Sequence, residues 1–370
     1  MNKNILKAIT YTAFATTIAA CTSGSSSNNS SVPQAPFTAT YLAPPIGATA
    51  TTGSGYYSKL EGNNTYIIYA PNGGESYVKD SVTLQSKPIY ISTYAYENLI
   101  NQTYPYIQYT TESTPGVIAY FDSTESHSNN ITGFFSSSNE SNSFVKLQIN
   151  NTPALYTTES NNILYNNTLN SESTITSPCG EHGGITSFTG AELPQSQNRD
   201  GILGLGYSDG YFCIFELQYK TELYNVYATA ESQGYKSSSP VTGVTFGQDP
   251  ASRNGYGYWI SSGNIFAFET PLDNTTCESN CIFTNLSNLP YAPSNPISIV
   301  ADILTNYVYV GTKNGMVYVL ENSSNNPSWG AIQLTKNGAN DNSAVNSLAR
   351  ATKGIVATTV AGNVYSINPK

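Results

Sequence analysis

The feature that most constrains this chain is a pattern that occurs twice near its end. Ile297-Ser-Ile-Val-Ala301 precedes Tyr307-Val-Tyr-Val-Gly-Thr-Lys-Asn-Gly-Met-Val-Tyr-Val-Leu320, and Val345-Asn-Ser-Leu-Ala349 precedes Gly354-Ile-Val-Ala-Thr-Thr-Val-Ala-Gly-Asn-Val-Tyr-Ser-Ile367. Each copy reads as a short apolar strand, a gap, a β-branched strand, a glycine turn and another strand. Asn314-Gly315 and Gly362-Asn363 tolerate positive φ, so the apolar runs around them predict hairpins.

Looser copies begin upstream. Taken together, seven copies start at Ile46, Ile89, Ile131, Ile185, Val241, Ile297 and Val345, with spacings of 43, 42, 54, 56, 56 and 48 residues. Periods of this length, each holding several short strands, point to an all-β, seven-bladed β-propeller rather than a helical solenoid. Two stacked β-sandwiches would also account for the strands, but not for their fixed order. The last copy reaches Lys370 with three strands. Phe37-Thr-Ala-Thr-Tyr-Leu-Ala43 is β-prone and precedes the first copy, so it is expected to close the ring by pairing beside Asn363–Ile367.

Composition supports β-structure and excludes some partners. Charged residues make up 11% of the chain, against about 25% in ordinary domains. Polarity comes from Ser, Thr, Asn and Gly, and there are 29 tyrosines; Thr and Tyr suit strands, Asn and Gly suit turns. The net charge of −9 argues against nucleic acid, whose backbone needs a basic surface. No apolar run after Cys21 approaches the roughly 18 residues of a membrane span.

At the N-terminus a basic segment, Met1–Lys7, leads into an apolar stretch ending Ile18-Ala19-Ala20-Cys21. This layout resembles a bacterial lipoprotein signal, with residues 1–20 as signal peptide and Cys21 as the acylated first residue. The resemblance implies a lipid-anchored protein of the cell envelope, and Thr22, in place of an inner-membrane retention Asp, implies the outer membrane. Residues 21–36, rich in Ser and Asn, are expected to be a flexible tether, leaving 37–370 as the propeller domain. The membrane would be met through the lipid alone.

The Tyr307–Leu320 hairpin resembles the blade core of quinoprotein-like and sensor-type propellers. The aromatic anchors of true quinoprotein blades are missing, so no quinone is implied and no cofactor is expected.

Beside Cys21 the cysteines are Cys179, Cys213, Cys277 and Cys281. An even number in an exported chain suggests two disulfides; the local pairing Cys277–Cys281 with Cys179–Cys213 is favoured. Free buried thiols or a zinc site using Cys179, His182, Cys277 and Cys281 are the rivals, although the spacing is not that of zinc knuckles.

Residues for chemistry are few. The chain has two histidines. His127 sits in a polar Ser/Asn loop. His182, in Cys179-Gly-Glu-His-Gly-Gly184, is the better candidate, and with Glu181 and Asp209 forms the cluster worth checking for catalysis. Gly201-Ile-Leu-Gly-Leu-Gly206 lacks the lysine of a phosphate loop and reads as strand glycines at close packing. Asn337-Gly-Ala-Asn-Asp-Asn342 has oxygen ligands but lacks the acidic count of a calcium loop, and reads as a solvated turn. The reading that results is a non-catalytic binding or scaffold protein that recognises an envelope protein or glycan through loops on one propeller face. The alternative is a lyase or hydrolase working in the central channel.

Overall fold

The computed structural model describes residues 32–50, 52–53, 55–62, 65–71, 77–98, 102–112, 114–122, 131–136, 145–149, 152–159, 162–166, 173–176, 182–192, 199–218, 222–225, 237, 239–248, 254–271, 282–302, 307–321, 327–350 and 354–370. Regular structure among them is β, apart from one 3-10 turn at Leu286–Asn288.

The strands form seven sheets of four or five strands and one small ribbon. The first sheet holds Thr49–Ala50, Tyr57–Glu61, Thr65–Pro71 and Tyr77–Leu84. The second holds Pro88–Asn98, Gln102–Thr111, Thr114–Asp122 and Ile131–Ser136, with Thr52–Gly53 added in parallel to its first strand. The third holds Val145–Ile149, Thr152–Glu159, Asn162–Asn166 and Ser173–Thr176; the fourth Ile185–Glu192, Arg199–Tyr207, Phe212–Gln218 and Glu222–Asn225. The fifth holds Val241–Gln248, Asn254–Ser261, Asn264–Pro271 and Ile282–Asn285; the sixth Pro296–Asp302, Tyr307–Thr312, Met316–Glu321 and Trp329–Gln333. The seventh holds Val345–Arg350, Ile355–Thr359, Val364–Pro369 and, as its outer strand, Phe37–Leu42.

The third repeat starts later than its sequence suggests. Ile131–Ser136 is the outer strand of the second sheet, paired with Val117, Ile118 and Tyr120, and the third sheet begins at Val145. A short run such as Ile-Thr-Gly-Phe-Phe carries the composition of a strand but not its place in a sheet.

The same local devices recur from sheet to sheet. In the second, fourth, fifth, sixth and seventh sheets the first strand shifts register just after its opening residue, at Pro88/Tyr90, Ile185/Ser187, Val241/Gly243, Pro296/Ser298 and Val345/Ser347. A bulge there raises the local twist. Neighbouring sheets meet through a shared seam. Gly206 of the fourth sheet has no room for a Cβ beside Ser187 and Val241, and Gly311 of the sixth has none beside Ser298 and Val345. At both seams hydroxyls cross to the next sheet: Thr186 Oγ1 donates to Val241 O at 2.6 Å and Ser298 Oγ to Val345 O at 2.7 Å. Gly204, against Phe246 and Thr189, and Gly206 therefore serve close packing, as the sequence reading expected of this run. Arg350 runs across three first strands, its Nε donating to Ala301 O and its Nη2 to Phe246 O.

The core lies between sheets. One buried cluster joins Tyr258, Ile260 and Ile265 to Val308, Val310 and Leu320. A second joins Tyr309, Val317 and Val319 to Ile355, Ala357 and Tyr365. Leu42 and Tyr57 close on Val356 and Val364. Strands such as Ile355–Thr359 are buried at every position, which explains their unbroken β-branched runs.

The N-terminal strand pairs antiparallel with the last one from Phe37↔Pro369 to Leu42↔Val364, where the sequence placed it. Phe37 also meets Tyr307 and Tyr309 of the sixth sheet edge-on, at 5.0 and 5.5 Å. The expected tether, however, does not run to residue 36. Ala35 N donates to Ala331 O, Ala331 N to Pro33 O and Lys370 N to Pro36 O; Gln34 bridges Ala331, and Ala35 is buried against Gly330. The exposed edge of Trp329–Gln333 supplies unpaired backbone groups, and a glycine there lets a short, proline-flanked segment lie close enough to bond them. The compact unit accordingly begins at Val32. Residues 1–31, with the expected signal peptide and Cys21, lie outside the described residues.

Candidate functional site

Backbone groups at strand ends need partners, and four sheets solve this in the same way. The residue following the second strand donates its N–H to the carbonyl just ahead of the first strand: Glu112 to Lys87 at 2.8 Å, Ser208 to Gly184 at 2.8 Å, Lys313 to Asn295 at 3.3 Å and Val360 to Ala344 at 2.9 Å. The loop entering each of these sheets is thereby pinned to the turn between its second and third strands.

Side chains then fasten the junction with different chemistry. The second sheet uses an ion pair, Lys87 Nζ to Glu112 Oε1 at 2.7 Å. The fifth uses hydroxyls: Ser237 and Ser262 lie 2.5 Å apart, and Ser261 donates to Ser239 O at 2.7 Å. The fourth uses His182, whose Nδ1 lies 2.8 Å from Asp209 Oδ2. Its ring stacks on Tyr211 at 3.8 Å and 14°. The other carboxylate oxygen of Asp209 accepts from Tyr211 N at 3.1 Å.

The seventh sheet does most with one carboxylate. Asp341 Oδ1 accepts from Ser343 N at 2.9 Å, and Oδ2 accepts from Asn363 Nδ2 at 2.8 Å and Tyr365 OH at 2.7 Å. Burial works to raise the Asp341 pKa, but the hydrogen bonds from Ser343, Tyr365 and Asn363 outweigh it and hold it at about 2. The Tyr365 phenol is pushed up by burial and by the same carboxylate. Lys336 Nζ donates to Asn363 Oδ1 at 2.8 Å and sits 5.0 Å from the Tyr41 ring, so the network reaches the N-terminal strand.

Of the sequence candidates, His182 and Asp209 come together and Glu181 lies outside the described residues. The pair sits at a loop–turn junction of the kind that the second, fifth and seventh sheets close with other residues. The Asn337–Asn342 stretch is not one solvated turn. Asn337-Gly338 forms the tip of the ribbon Thr335–Lys336/Ala339–Asn340, whereas Asp341 is buried and committed to protein donors. The sequence reading missed Asp341 and Tyr365 as a pair. A usable signal was present: Asp341 stands four residues ahead of Val345, as Glu181 stands four ahead of Ile185.

Cys213 is fully buried and disulfide-bonded. Cys179, Cys277, Cys281 and His127 lie outside the described residues, and with them the zinc alternative. Among the described residues no group of three His, Cys, Asp or Glu is placed to hold a metal ion.

No protein-family model matches the chain, and no curated protein matches it in sequence. Among solved structures it is similar to that of U3-55K, with 11% identity over 91% of this chain and 100% of that one and a TM-score of 0.52. It is also similar to the crystal structure of Saccharomyces cerevisiae Sqt1, with 12% identity over 87% and 83% and a TM-score of 0.49. At such an identity the likeness to U3-55K is one of fold alone: an all-β assembly of antiparallel sheets.

Proposed function

We propose that this chain is a lipid-anchored, non-catalytic binding or scaffold protein of the bacterial cell envelope. In this reading the seven sheets are the blades of a β-propeller, Phe37–Leu42 closes its ring, and loops at one end recognise a protein or glycan. The observation that carries the reading is the repeated junction. One backbone bond fixes the base of the loop in four sheets, while the side chains that fasten it and the loop beyond it differ, from the Lys87–Glu112 ion pair to the Asn337-Gly338 ribbon. A rigid frame with variable tips is the form that recognition surfaces take. The seven successive sheets and the likeness in fold to U3-55K support the propeller assignment. The lipobox Ile18–Cys21 and the acidic, charge-poor composition support the envelope and argue against nucleic acid.

The test is affinity capture of the tagged protein from envelope extracts, with Cys21→Ala alongside and with Asn337–Asn340 replaced by Gly-Ser repeats. Palmitate should label the parent and not Cys21→Ala, and a defined envelope protein or glycan should be captured by both and lost from the ribbon variant. Labelling that persists in Cys21→Ala removes the anchor. Turnover of an envelope substrate that disappears in His182→Ala replaces binding with catalysis.

A further inference from the structure

The fourth and seventh sheets can be superposed residue by residue at their turns. Tyr207 N donates to Tyr211 O and Thr359 N to Asn363 O, both at 2.9 Å; Gly210 N donates to Tyr207 O and Gly362 N to Thr359 O. The bonds Ser208 to Gly184 and Val360 to Ala344 also correspond. Across the strands, Leu205 faces Cys213 as Ala357 faces Tyr365. Cys213 therefore occupies the position of Tyr365. In the seventh sheet that position ties the third strand to the loop ahead of the first strand, through Tyr365 OH and Asp341.

We propose that Cys213 is bonded to Cys179, so that in the fourth sheet a disulfide makes the tie that a phenol and a carboxylate make in the seventh. Cys179 is the cysteine of the corresponding loop, three residues before His182, which is itself held on Asp209. The other two cysteines follow the third strand of the fifth sheet in sequence. That strand leaves the turn at Asn264 and runs to Pro271, which at about 3.4 Å per residue is more than 20 Å away. Ile282 pairs with Glu269 near that far end, and Cys277 and Cys281 lie between Pro271 and Ile282. The turns themselves stay together: a Cβ on Gly210 would strike Ser237 O, and Ser237 meets Ser262. A disulfide needs Cα atoms within about 7 Å, and of the remaining cysteines Cys179 is the one whose chain neighbour, His182, is held at this turn.

Forming the bond removes two protons and two electrons from the two thiols, and a disulfide of the exchange class accepts them and leaves as a dithiol. The export proposed above supplies that oxidant; the pairing itself can be read on protein oxidised in vitro. Reduction should leave the junction of the fourth sheet held by His182–Asp209 and the backbone bond.

The experiment is proteolysis of the full chain under non-reducing conditions followed by mass spectrometry, with amide exchange measured before and after reduction. The expected product joins the Cys179 and Cys213 peptides, two hydrogens lighter than their sum. In Cys179→Ser, but not in Cys277→Ser, Cys213 should become alkylatable in denaturant. Reduction should speed exchange at Tyr207 and Gly210 at least tenfold while leaving Thr359 and Gly362 unchanged. Cys213 joined to Cys277 or Cys281, or alkylated as a free thiol in the parent, overturns the pairing. Equal exchange at Tyr207 before and after reduction overturns the fastening role.

Discussion

The fourth and seventh sheets share a backbone down to individual turn bonds, yet they are secured differently. The fourth sheet completes itself with its own strand, Glu222–Asn225, and its turn lies under the loop that leads to the fifth sheet, where Ser237 O presses on Gly210. The seventh borrows Phe37–Leu42 from the other end of the chain, and nothing lies within 4 Å of a Cβ built on Gly362. A repeated blueprint fixes the backbone. What varies is how each joint is held: the fourth by the His182–Asp209 pair, whose carboxylate is partly exposed, and the seventh by the buried Asp341 with Ser343, Asn363 and Tyr365.

The largest effect should come from the borrowed strand. A chain beginning at Val32 should be as stable as one beginning at Cys21. A chain beginning at Phe37 loses the bonds to Ala331 and the burial of Ala35, for a cost of about 2 kcal/mol. A chain beginning at Ala43 also loses buried Phe37 and Leu42 and uncovers the edge of Val364–Pro369, and it should aggregate rather than refold. Urea denaturation and light scattering of the four chains check this. A chain starting at Ala43 that folds as well as the others would mean that the seventh sheet is complete without its N-terminal strand.

Next comes the turn glycine, which separates the two sheets directly. Gly210 and Gly362 both have positive φ, +86° and +75°, so alanine costs about 1 kcal/mol at either for the left-handed backbone. At Gly210 the new methyl also meets the backbone carbonyl of Ser237, which cannot swing aside, adding roughly 2 kcal/mol or more. Gly210→Ala should therefore be destabilised by about 3 kcal/mol and Gly362→Ala by about 1 kcal/mol. Equal losses would show that the cover over the fourth turn yields easily.

Asp341→Ala should cost about 2 kcal/mol, because it strands the buried Tyr365 hydroxyl and the Asn363 amide. The acid limb of the stability curve tests the same carboxylate. With its pKa held at about 2 against an ordinary value of 3.8, the native state binds fewer protons than the unfolded one in this range. The contribution is fully present above pH 3.8 and is lost as pH falls towards 2. Asp341→Asn should flatten that part of the curve, and an unchanged acid limb would assign it to other carboxylates.

Much of this was legible in the sequence, and the reasons differ by feature. Strand content and the hairpins at Asn314-Gly315 and Gly362-Asn363 were visible because turn chemistry and β-branched runs are local. The partner of Phe37–Leu42 could be read because the last repeat was one strand short. The place of Ile131–Ser136 could not, since a strand's position in a sheet depends on what its neighbours leave unpaired. The attachment of residues 33–36 was hidden for a similar reason: Pro33, Gln34, Ala35 and Pro36 have no strand signature, and Gly330, which admits them, is 295 residues away from Ala35. The His182–Asp209 pair was found but its setting was not. Rarity of histidine drew attention to it, whereas Asp341 was read as part of a polar turn.

The smallest effect should be that of His182→Ala, and it bears most directly on what the fourth junction is for. The substitution removes the ring stacked on Tyr211 and one bond to Asp209. Asp209 keeps its bond to Tyr211 N, and its side chain is about one-third exposed at 32%, so water can replace the imidazole. The loss should be about 1 kcal/mol, below that of Asp341→Ala, whose partners are more deeply buried. If the pair is a fastener, His182→Phe should recover part of that loss by restoring the stack on Tyr211, and both variants should capture the same partner as the parent. A histidine that acts on a ligand gives the opposite pattern: stability unchanged, capture or turnover lost, and no rescue by phenylalanine. Denaturation and capture measured on the same two variants separate these outcomes, and with them decide whether the fourth and seventh junctions differ in purpose or only in the residues that close them.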